Sequence, residues 1–60
     1  MPTEIRLADG DTLIVFEDTD DVQGKLSQYG SGRHLIPFHD INGWSHRVNP
    51  DQVVWIREKH

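Results

Sequence analysis

The sequence predicts an α+β domain: a five-stranded antiparallel sheet or small open barrel, in the order β-β-α-β-β-β, with one short helix docked on the sheet. Three observations carry that expectation. Short runs rich in β-branched and aromatic residues recur at 4–7, 12–16, 34–39, 44–48 and 53–57. Turn chemistry separates them, at Asp9-Gly10, at Asp40-Ile41-Asn42-Gly43 and at Asn49-Pro50. A single stretch near 17–29 changes to helical spacing.

Each element has a local reason. Glu4-Ile5-Arg6-Leu7 alternates polar and apolar, as a half-buried strand does, and Asp9-Gly10 tolerates the positive φ of a tight hairpin. Thr12 to Phe16 is the return strand. Leu13 and Val15 are expected on one face with Ile5 and Leu7. Ile14 and Phe16 then point the other way, so part of the second face needs cover. Glu17 to Asp21 is an acidic helix start in which Asp18 or Thr19 caps free N–H groups. Val22, Leu26 and Tyr29 form one apolar stripe, Gly24 weakens the middle, and Gly30 closes the helix.

His34 to His39 is the third strand, where Pro37 has no N–H and must sit at an edge or at a position outside the ladder. Trp44 to Val48 returns. A two-residue loop at Asn42-Gly43 sets His39 opposite His46. A type I turn with Gly43 in a left-handed bulge instead sets Phe38 opposite His46 and Ile36 opposite Val48, with Asp40 bonding back to the turn. The second register gathers the cleaner core and is preferred. Asn49-Pro50-Asp51-Gln52 is a corner in which Pro50 opens a single helical turn, and Val53 to Arg57 closes the sheet. On simple alternation Trp55 shares a face with Val53, and Val54 shares the other with Ile56.

The Asp-Gly hairpin, the acidic helix start and the closing Val48-Asn49-Pro50-Asp51-Gln52-Val53-Val54-Trp55-Ile56 resemble small uncharacterised bacterial proteins, from actinobacteria or their phages, that end in a VNPxxVxxI motif. The resemblance implies a compact α+β domain and transfers no functional residue.

Sixty residues read as a single domain, 1–60. A chain of this size buries only about 60% of the surface its unfolded form exposes. It has no cysteine, which removes disulfides and Cys-based metal sites and fits a cytoplasmic protein. Packing or self-association must supply the stability, so a homodimer is one of the two expected routes. No signal-peptide pattern and no stretch near the ~20 apolar residues of a membrane span is present. Net charge is −4: residues 1–32 carry seven acids against Arg6 and Lys25, and residues 33–60 carry four bases against three acids. The acidic half repels nucleic acid and anionic lipid.

Catalysis is not expected. Neither Ser27, Ser31 nor Ser45 has a nucleophile context, and helix capping accounts for Asp18, Asp20 and Asp21. Neither a cofactor nor a metal site is expected; His39, His46 and Asp40 are the nearest approach to a metal set. Gly30-Ser31-Gly32-Arg33-His34 follows a helix instead of preceding one, which disfavours a phosphate cradle. The surface expected to matter is aromatic and basic: Trp44, Trp55, Arg47 and Arg57, with His39 beside them. One tryptophan is expected in the core by default and the other as an interface anchor. The expected function is a non-catalytic protein-interaction module, with self-association through a sheet edge or face as one form. The alternative is a small nucleic-acid-binding module using Arg33, Trp44, Arg47, Arg57 and Lys59.

Overall fold

The computed structural model describes residues 1–28 and 34–59. Along the chain run β1 (Thr3–Leu7), β2 (Thr12–Val15), α1 (Thr19–Gln28), β3 (Ile36–His39), β4 (Ser45–Val48), a 3-10 turn (Pro50–Gln52) and β5 (Val53–Glu58). The α+β class and the order β-β-α-β-β-β stand. The expectation of one five-stranded sheet does not. The strands form two antiparallel sheets, β2-β1-β5 and β3-β4, not closed into a barrel.

The break between the sheets has a backbone cause. In the β3–β4 ladder the Asp40 N–H reaches the Trp44 carbonyl, so alternation turns the N–H positions of Pro37 and His39 away from β4, toward β2. Pro37 has no N–H to offer there. The N–H of His39 donates instead to the Glu17 carboxylate, at 3.1 and 3.2 Å. What remains is one bridge, Val15 opposite Asp40, with the Phe16 N–H donating to the His39 carbonyl at 2.6 Å. The two sheets are joined at that corner.

The turns follow the sequence closely. Asp9 accepts the Asp11 N–H, and Gly10 takes φ +100°. In the second hairpin the Gly43 N–H bonds the Asp40 carbonyl, Gly43 takes φ +87°, and Asp40 Oδ1 accepts from Asn42 N and Trp44 N, each at 2.9 Å. This is the bulged register: Phe38 faces His46, Ile36 faces Val48, and His39 faces Ser45. The directly opposed pair of histidines is therefore not formed. Asn49 caps the 3-10 turn by accepting the Asp51 N–H, with Pro50 as its first residue.

Helix α1 is capped by Asp18, whose Oδ1 accepts the Asp21 N–H at 2.9 Å. The Thr19 hydroxyl lies 3.4 Å from that of Thr3, which also donates to the Glu17 carbonyl. Val22 enters the core and Leu26 packs against it. The expected third member of the stripe, Tyr29, the Gly30 cap and the Gly30–Arg33 loop lie outside the described residues.

The core is Ile5, Val15, Val22, Ile36, Phe38 and Val48, with Leu7, Leu13, Leu26, Val53 and Ile56 packed against it. Neither tryptophan belongs to it. Trp44 is 72% exposed and Trp55 38%. The expected pairing of Trp55 with Val53 on one face fails because the β1–β5 ladder shifts register between Arg6 and Leu7, inserting one extra residue on β5. Val53 and Ile56 consequently both face the core, and Trp55 turns outward.

Candidate interaction surface

The outward face of the β2-β1-β5 sheet is assembled by pairing. Glu4 lies opposite Arg57 on one side and Ile14 on the other, and Arg6 lies opposite Trp55 and Thr12. On this face Arg57 stacks on the Trp55 ring, 4.8 Å from guanidinium carbon to centroid. Its Nε donates to Glu4 Oε1. The Glu4 side chain is sunk into the sheet while that of Arg57 remains 64% exposed. Arg6 Nη1 reaches the Thr12 hydroxyl at 3.3 Å. Lys59 extends the row, its N–H bonded to the Pro2 carbonyl, and lines a shallow hollow with Glu4, Arg57 and Glu58. Trp55 thus carries one guanidinium, that of Arg57, on its ring, and lies opposite Arg6 on the neighbouring strand, whose own guanidinium leans to Thr12.

The other expected residues lie elsewhere. Trp44 follows the second hairpin turn, its N–H held by Asp40. Arg47 stands on the outward side of β3-β4 opposite Pro37. His39 ends β3 at the corner joining the sheets, with Nδ1 3.5 Å from Glu17 Oε2. Of the five, the structure brings together Trp55 and Arg57 in one contact. Trp44, Arg47 and His39 belong to the second hairpin. Sequence reading missed Glu4, Arg6 and Ile14 as members of the site. The available signal was that β1 alternates Glu4 and Arg6 on the face that Leu7 and Ile5 leave free.

Two carboxylates tie the hairpin down. Burial pushes the Glu17 carboxyl up, but hydrogen bonds from its own N–H and that of His39, together with Lys25, outweigh burial and leave it below the ordinary glutamate value. Lys25 Nζ lies 3.3 Å from Glu17 Oε2, donates to the Pro37 carbonyl at 2.9 Å and sits over the Phe38 ring at 5.2 Å. Asp40 is held below the ordinary aspartate value first by the hydrogen bond from His46, at 2.7 Å, and then by the N–H groups of Trp44 and Asn42 against some burial.

Two further concavities flank the sheets. Met1, Pro2, Phe16 and Ile41 line an apolar hollow at the corner, with Phe16 69% exposed. At the opposite end a cleft of about 430 Å³ opens between Leu7 and Leu13 on one sheet and Val48 on the other, rimmed by Asp11, His46 and Arg47. Among the described residues no three His, Asp or Glu side chains converge as a metal set, and no helix is long and apolar enough to cross a membrane. No protein-family model, curated protein or solved structure matches the chain.

Proposed function

We propose that the chain is a non-catalytic protein-interaction module that binds its partner on the outward face of the β2-β1-β5 sheet. One observation carries the reading: Trp55 is half-exposed, held under Arg57, and bordered by Arg6, on an open sheet face. Tryptophan and arginine are, with tyrosine, the side chains enriched at binding hot spots. Here both are held in place before a partner arrives, so little rotamer freedom remains to be lost on association. The half-buried Ile14 supplies an apolar flank.

A photo-reactive benzoylphenylalanine at Thr12, on this face, tests the proposal in living cells of the organism that encodes the protein. A discrete covalent adduct is expected from Thr12 and none from the same group at Gln23 on exposed helix surface, and Trp55→Ala is expected to abolish the adduct. Equal labelling from both positions, or a Thr12 adduct indifferent to Trp55→Ala, overturns the proposal.

A further inference from the structure

We infer that the partner segment this face accepts is an acidic stretch of protein chain, carrying a carboxylate beside an apolar side chain. The inference rests on the interaction reading above and adds the chemistry of the partner. Arg57 uses Nε on Glu4, which leaves the two terminal nitrogens of its guanidinium for a ligand. The plane of that group is fixed from below by Trp55 and from the side by Glu4. A planar two-nitrogen edge held in one orientation matches a carboxylate, which it binds through two parallel hydrogen bonds. Arg6 lies opposite Trp55 on the neighbouring strand with Nη1 on the Thr12 hydroxyl, a second cation on the same face.

Charge points the same way. The face carries Arg6, Arg57 and Lys59 against Glu4, whose charge is already engaged with Arg57, and Glu58 at the rim of the hollow. The whole chain is at −4, so the rest of its surface is acidic and this face is a local exception. Such a patch attracts an acidic segment and the remaining surface repels it, which sets orientation as well as attraction. A polynucleotide fits less well. Single-strand binding stacks bases on open aromatic faces, whereas Arg57 already covers one face of Trp55.

The test is a selection of displayed random twelve-residue peptides on the immobilised full chain, in parallel with Arg57→Gln, Arg57→Lys, Trp55→Ala and, as a control on the other sheet, Arg47→Gln. Thermal melts of each variant confirm folding. The expected pool is enriched in Asp or Glu next to an apolar residue. Its retention falls at least tenfold on Arg57→Gln, falls also on Arg57→Lys, which keeps charge but loses the planar fork, and is unchanged on Arg47→Gln. A neutral or basic pool that still depends on Trp55 overturns the inference and leaves the interaction reading standing. A pool indifferent to both Arg57 and Trp55 overturns both. Single-stranded DNA that displaces the pool and itself depends on Arg57 overturns the choice of a protein partner.

Discussion

Phe38 is the largest fully buried side chain in the described core, and it sits on the hairpin that, among the described residues, one bridge connects to the other sheet. Truncating it to alanine removes a buried ring, at about 3–5 kcal/mol for such a change. A domain of this length has about 3–9 kcal/mol of total stability, at roughly 0.05–0.15 kcal/mol per residue. Phe38→Ala is therefore expected to consume most of the margin and leave the chain largely unfolded at room temperature. Phe38→Leu keeps much of the volume but loses the ring beneath Lys25. It is expected to cost about 1–2 kcal/mol, from imperfect packing and a partly exposed cation–π contact. In a domain this small each kcal/mol moves Tm by about 4–8 °C. Thermal and urea melts followed by circular dichroism read both variants. A Phe38→Ala protein melting within a few degrees of the parent refutes the account, because it means β3-β4 is not docked through this side chain.

Three further outcomes follow from the same geometry. Gly43 holds φ +87° with open space where a Cβ would go, so Gly43→Ala is expected to cost about 1–2 kcal/mol from backbone conformation alone, read as a lower Tm. Glu17 and Asp40 titrate lower in the folded chain than their ordinary 4.5 and 3.8. The stability they contribute is present above those ordinary values and is lost as pH falls through the lowered folded ones, so Tm is expected to hold near neutrality and drop below about pH 4.5. Glu17→Gln and Asp40→Asn are each expected to lower Tm at pH 7 and flatten that acid limb; an unchanged acid limb in both contradicts the assignment. Arg57→Gln is expected to lower Tm modestly as well, because it leaves the sunken Glu4 carboxylate without its partner, and Glu4→Gln in the same chain is expected to restore part of the loss.

Local structure was legible where one residue type answers one backbone demand. Asp9-Gly10, Asp40 with Gly43, Asp18 at the helix start and Asn49-Pro50 all act at the positions where their side-chain oxygens, missing Cβ or fixed φ are needed. What failed to show was anything set by long-range register. The extra residue on β5 puts Val53 and Trp55 on opposite faces, and no local signal marks it. The separation into two sheets depends on a glutamate 22 positions away taking the His39 N–H. The site suffered for the same reason. Trp55 and Arg57 were recognisable as neighbours on one strand, but Glu4 and Arg6 join them only once β1 is known to lie beside β5, and Trp44 is set apart from them by belonging to the second hairpin.

The chain has two tryptophans, one on each candidate surface, and hence two indole N–H resonances, assignable by Trp44→Phe. Following both while the captured partner or a selected peptide is added to the isotope-labelled protein tests the central claim directly. The account predicts that the Trp55 signal shifts and that of Trp44 stays in place. A shift at Trp44 with Trp55 unmoved contradicts it and transfers the interaction to the second hairpin.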